Sequence, residues 1–188
     1  GYEGIQLAIK AWYDNGGVLG GQIGFEFYDD GSTTEGAVKG ATYLIDERGV
    51  DGLISSQLSG NIQATGDQVE AAQIPEVCTG MNPAYLQQGW TYLFRSLANN
   101  EGGAQPLVDA MLTVGVTDLG ALIYQDDGNT SAWSYVEEVL NNTPEITVTT
   151  VEQAMVGESD WTGTLSSILA TNPNGVLIFA QGEQGSLM

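Results

Sequence analysis

Apolar positions along the chain fall into two alternating rhythms, one helical and one extended. Ile5, Ala8, Ile9 and Trp12 recur at i, i+3, i+4 and i+7, a single stripe that predicts a helix over about 3–13. Asn15-Gly16-Gly17 stops it, glycine supplying the left-handed backbone that a helix end favours. Residues 22–28 then alternate, with Ile23, Phe25 and Phe27 on one face, and predict a strand at or near a sheet edge. Asp29-Asp30-Gly31-Ser32 turns the chain into a second helix over about 34–48, with Ala37, Ala41, Leu44 and Ile45 inward. A strand over 52–55, a helix over 61–72 and a strand over 74–78 follow. Between Cys78 and a strand at 92–95 there is room for only a turn of helix, begun after Pro83.

From Gly102 the alternation restarts: helix 103–114, strand 119–124, helix 131–140, strand 146–151, helix 160–170 and strand 175–179. The helices bring Ala104, Leu107, Val108, Met111 and Leu112, then Ala132, Val136, Val139 and Leu140, then Trp161, Leu165, Ile168 and Leu169 to their inner faces. Strand–helix alternation at these lengths predicts an α/β fold whose strands run parallel, with helices on both faces of the sheet. The polar, glycine-rich stretch LANNEGG, Leu97 to Gly103, lies where the rhythm restarts. We read it as the seam between two α/β lobes, 1–100 and 101–188.

Composition narrows what such a fold can bind. The formal charge is −20, from 24 acidic and 4 basic residues. The bases Lys10, Lys39, Arg48 and Arg95 all lie in the first 100 residues, and the remainder has none. Such a surface repels phosphate, which argues against nucleic acid and anionic membrane as partners. A bound carboxylate would have to rely on N–H groups, hydroxyls and helix dipoles. Strong acidity fits either a salt-rich habitat or a solubilised extracellular protein. There is no histidine, and the single Cys78 excludes an intrachain disulfide and a cysteine-based zinc site. Without histidine, Cys78 has no Cys–His partner to activate it as a nucleophile. No Walker lysine and no dinucleotide fingerprint is present, so we expect no enzyme, no cofactor and no metal. Asp126-Asp127-Gly128 and Asp29-Asp30 read as turns, their spacing lacking the alternating oxygens of a calcium loop.

The stretch DGLISSQLSGN, Asp51 to Asn61, carries the candidate chemistry: a short strand, a loop of Ser55, Ser56, Gln57 and Ser59, then a helix start. A strand emptying into a helix N-terminus gathers free N–H groups and the positive end of a helix dipole, a place for an anion. Ser59 or Asn61 capping its own helix is the alternative. The polar loop Cys78 to Pro83 adds a second strand end on the same lip.

Three segments also resemble a known family. NGGVLGGQIGFEFYDD, IPEVCTGMNPAYLQQGWTYLFRS and SDWTGTLSSILATNPNGVLIF are similar, in order and at matching spacing, to segments of the type I periplasmic solute-binding proteins of branched-chain amino acid ABC transporters. The resemblance implies two lobes closing on a small ligand, an amino acid or similar carboxylate, with no chemistry performed. It also implies an extracytoplasmic location and a membrane ABC permease as partner; a ligand-sensing receptor domain on the same fold is the other reading. By the resemblance Ser59 stands at the family's ligand-binding serine and Gly60 where a second serine is common. Thr79 and Gly80 stand where backbone contacts the ligand, and Met81 where many members carry a threonine. A thioether cannot donate to a carboxylate, so Thr79 would have to supply that hydroxyl or the ligand would have to differ. Gln57 completes the expected first-lobe loop, with Asn129 and Gln181 expected from the second lobe. Measured against the family, the chain is expected to lack a first strand and to stop about halfway.

Overall fold

The computed structural model describes residues 2–155, 157–158 and 160–180. It contains two sheets, each of three parallel strands, with an α-helix between successive strands except β2 and β3, which a 3₁₀ turn joins. In order the elements are α1 (Tyr2–Asp14), α2 (Thr34–Thr42, extended by a π-helical turn over Tyr43–Glu47), β1 (Leu53–Ile54), α3 (Ser59–Ala72), β2 (Glu76–Cys78), a 3₁₀ turn (Pro83–Gln87) and β3 (Leu93–Arg95). There follow α4 (Asn100–Thr113), β4 (Asp118–Tyr124), α5 (Asp127–Asn141), β5 (Thr147–Ala154), α6 (Thr162–Ala170) and β6 (Gly175–Phe179). Among the described residues no helix is long and apolar enough to cross a membrane.

The second sheet has the order β5-β4-β6, and its central strand explains its solidity. Along β4 successive side chains point to opposite faces. Leu119, Ala121 and Ile123 join a buried cluster with Val108 and Met111 of α4 and Trp133, Val136 and Leu140 of α5. Leu122 and Tyr124 meet Trp161 and Ile168 on the α6 side. A strand that is apolar at nearly every position is what a parallel sheet covered on both faces requires.

The first sheet, β1-β2-β3, is shorter and covered on one face. Ile62 on α3, Cys78, Tyr85 and Leu93 form its buried cluster, with Trp90 packed against it. On the other face Ile54, Val77 and Phe94 stand side by side in register and remain 62%, 39% and 52% exposed. This leaves an apolar row across the bare side of three strands.

Several expectations are corrected. Residues 22–28 form no strand: their only neighbouring ladder contact is an isolated bridge between Val18 and Gly21. Alternation gives a segment one apolar face, but a strand also needs a partner for its backbone, and no described strand lies beside this one. Its aromatic side chains instead meet α1, Phe25 and Phe27 lying against Tyr2. Helix α1 forms as expected but buries none of its residues, so its stripe stays largely wet. Helix α4 starts three residues earlier than Gly103, because Asn99 caps it through Gly102 N–H at 2.9 Å, and it continues through Pro106. Asp126-Asp127-Gly128 is no free turn but the cap and first turn of α5, which begins at Asp127 and not at Ser131.

Glu76 stands apart in the first sheet. Its side chain is fully buried, and neither carboxylate oxygen has a hydrogen-bond partner; the Oγ of neighbouring Ser55 is also unpaired. Burial pushes the carboxyl above its ordinary range, with Ser55 pulling weakly the other way. An acid whose pKa is raised by folding favours the folded state while protonated. Stability is therefore lost as pH rises from the ordinary carboxylate value through the raised one. We expect Glu76→Met to stabilise the protein by about 1–3 kcal/mol at pH 7.5, with a smaller gain at pH 4, in urea unfolding at both values. An equal gain at both would show that the charge is not what costs stability.

Candidate functional site

Parallel strands deliver their following loops to one edge of the sheet, where helix N-termini also gather. In the first sheet this edge carries residues 55–58 after β1 and 79–82 after β2. Helix α3 begins at Ser59, preceded by Leu58, and no side chain caps it. Neither Ser59 nor Asn61 serves as its own helix's cap. Ser59 Oγ accepts from the Asn82 N–H at 3.2 Å, so it ties one strand-end loop to the other. Asn61 Nδ2 donates to Asp30 Oδ2 at 3.0 Å, and Ser56 Oγ accepts from Leu58 N–H at 3.0 Å.

Gly80 is wedged into the same corner. A Cβ there would lie 2.5 Å from Ile62 Cδ1 and 2.9 Å from Ser59 Oγ. The Tyr85 hydroxyl donates to the Gly80 carbonyl, and the buried Cys78 thiol donates to Tyr85 Oη at 3.5 Å. Burial pushes the Cys78 thiol up, the hydrogen bond with Tyr85 opposes it, and Glu76 adds a smaller upward push. Fully buried and held as a thiol, Cys78 packs the floor beneath the lip and offers no nucleophile.

The structure thus brings Ser59, Gly60, Thr79, Gly80 and Asn82 to one lip. Thr79 is half-buried there, and Met81 is exposed, contributing its carbonyl to the Asn100 N–H at 3.0 Å. Gln57 is exposed on the loop before α3. Asn129 is buried, and its amide is committed locally: its N–H and Nδ2 both donate to the Asp126 carboxylate at 2.8 Å. Gln181 lies outside the described residues.

The first turn of α5 reaches across to this lip. A Cβ on Gly60 would stand 2.7 Å from Asp127 Oδ2, so the carboxylate rests directly against the start of α3. Asn82 Nδ2 donates to the Asp127 carbonyl at 3.3 Å, and buried Asn100 Nδ2 donates to the Gly128 carbonyl at 3.0 Å. Asn100 and Asp127 were not recognisable as such from sequence. In LANNEGG nothing distinguishes the asparagine that bridges from Asn99, which merely caps. We expect Gly80→Ala to cost about 1–3 kcal/mol in urea unfolding, because Ile62 is buried and has little room to retreat. An unchanged midpoint would show that the corner yields.

Comparison with known proteins places this geometry. The sequence profile of a family described as Periplasmic binding protein matches residues 2–187. No curated protein matches at a significant level. Among solved structures, an ABC transporter solute-binding protein from R. palustris in complex with benzoate is 21% identical with a TM-score of 0.85, over 98% of this chain and 52% of that one. A branched-chain amino acid transporter substrate-binding protein from Streptococcus pneumoniae in complex with isoleucine is 18% identical with a TM-score of 0.81, over 92% and 49%. A leucine-binding protein from Thermotoga maritima is 22% identical with a TM-score of 0.79, over 94% and 50%. The chain therefore spans about half the length of each.

Proposed function

Because the chain belongs to the periplasmic binding protein family, we propose that it is the solute-binding component of an ABC importer, acting outside the cytoplasm. Its ligand is an amino acid or a similar small carboxylate held between two lobes, 1–100 and 101–188. No reaction is catalysed. Closure of the lobes on the ligand is the signal a membrane permease reads.

The observation that carries this reading is the start of α3. It has no capping side chain, its Ser59 hydroxyl is buried at the lip, and the adjoining loop 79–82 is locked to it through Asn82. Ser59 Oγ accepts one hydrogen bond, so its proton remains available to donate to an anion. Benzoate, isoleucine and leucine, the molecules named with the similar structures, share one feature: a carboxylate beside an apolar body. In a protein with no base after residue 100, a ligand carboxylate is received by N–H groups of Ser59 and Gly60, by Thr79 and by hydroxyls, in a partly desolvated cleft where such bonds count most. Gln57, Gly80 and Met81 line the first-lobe side. Asn129 shapes the second-lobe side by setting the first turn of α5, and Gln181 is the further second-lobe candidate.

The test begins with a thermal-shift panel of leucine, isoleucine, valine, benzoate and other small carboxylates, since a ligand of the native state raises the melting temperature. For any hit, calorimetry on Ser59→Ala is expected to show affinity weaker by about 1–3 kcal/mol, roughly 5- to 150-fold in Kd. Unchanged affinity would remove Ser59 from the site.

A further inference from the structure

We propose that Arg95 is the counter-charge of the ligand site, a cation held beneath the lip that makes the cleft favour a carboxylate over an uncharged ligand of the same shape. This deepens the function proposed above and rests on it. Four bases serve a chain of charge −20, and Lys10, Lys39 and Arg48 are each held in an exposed ion pair. Arg95 makes no ion pair among the described residues. It is half-buried, and its Nη1 is enclosed without a hydrogen-bond partner. A guanidinium cannot shed its proton to relieve such burial, so an unpaired one works against folding. Exceptions of this kind concentrate where a protein binds something.

Its place in the sheet brings that charge to the lip. Arg95 ends β3 in register with Cys78, which ends β2, so both stand at the edge where the strand-end loops open. Residues in register share a face, and Arg95 therefore lies on the side of Cys78 and Tyr85, away from exposed Phe94. Tyr85 joins it to the lip, its hydroxyl donating to the Gly80 carbonyl. Burial pushes the Tyr85 phenol up, and Arg95 is among the groups that pull it back, as it is for the Cys78 thiol. Both stay neutral and leave the guanidinium without a counter-ion. Glu76, at the opposite end of β2, is itself pushed up by burial and answers to Ser55, not to Arg95. On the α3 side of the lip the charge is negative, since Asp127 sets its carboxylate against Gly60. A ligand carboxylate arriving at the start of α3 meets that like charge, and Arg95, the sole base on any strand of the first sheet, offsets it. Where little water intervenes, a charge acts without touching what it attracts.

The experiment is calorimetry on the parent, Arg95→Lys and Arg95→Gln, each titrated with leucine, benzoate, leucinamide and benzamide. Lysine keeps the charge without the fork, and glutamine keeps a donor without the charge. Circular dichroism melts without ligand establish first that each variant is folded. The parent is expected to bind leucine or benzoate at least about tenfold more tightly than the matching amide. Arg95→Lys is expected to stay within about threefold of the parent, and Arg95→Gln to lose about tenfold or more for the carboxylate with the amide unchanged. Parent-like carboxylate binding by Arg95→Gln overturns the proposal and leaves Ser59 in the site. Equal losses in the lysine and glutamine variants overturn it too, because packing and not charge is then what Arg95 supplies. If Arg95→Gln does not fold, the parent decides: an amide bound as tightly as its carboxylate overturns the proposal. A parent that binds neither leucine nor benzoate also overturns it, whereas the function it rests on falls only if the whole carboxylate panel is blank.

Discussion

Every strand in both sheets runs parallel to its neighbours, and the rest of the molecule follows from that constraint. A parallel strand cannot return through a tight turn; the chain must cross back over the sheet, here by helices. All strand ends of one sheet therefore open on the same edge, and the loop after β1 leads into the start of α3, which no side chain caps. The lip made by Ser59, Gly80 and Asn82 is a consequence of that direction, as is the arrival of Asp127 from the second sheet.

The chemistry of the lobe contact follows from composition. All three salt bridges among the described residues, Lys10–Asp14, Lys39–Glu35 and Arg48–Glu26, involve residues before 50 and have substantially exposed partners. Exposed pairs of this kind contribute little. With no lysine or arginine after residue 100, the second lobe has no cation to offer the first. Amide donors and backbone carbonyls join the two instead. Such contacts are short-ranged and directional, and salt screens them far less than it screens ion pairs.

The sequence showed the alternation of elements, the parallel α/β class and the position of the lip clearly, because each rests on local periodicity and on glycine and proline punctuation. Beta4 illustrates why: seven consecutive residues that suit a doubly covered strand leave little alternative. What periodicity could not show was pairing. Residues 22–28 have a strand's pattern but no partner, and pattern alone does not supply one. Helix starts were misplaced where a side chain ahead of the apolar stripe did the capping, as Asn99 and Asp126 do, each binding the N–H three residues on. The bridging asparagines were hidden for a related reason: an amide that caps and an amide that spans a cleft are the same residue in a sequence. Glu76 was invisible altogether, since the isolated carboxylate in a short strand reads as an exposed position.

The row formed by Ile54, Val77 and Phe94 makes the stability of the first sheet depend on its solvent. Apolar surface removed from water is worth about 25 cal/mol per Å², and this row lies uncovered on three short strands whose other face already holds an unpaired carboxylate. Whatever covers that face stabilises the strands as it does so. Excluded salts such as sulfate strengthen apolar burial, and on a chain of charge −20 they also screen self-repulsion. Both effects run in the same direction, so in brine the tendency to cover this row is greatest.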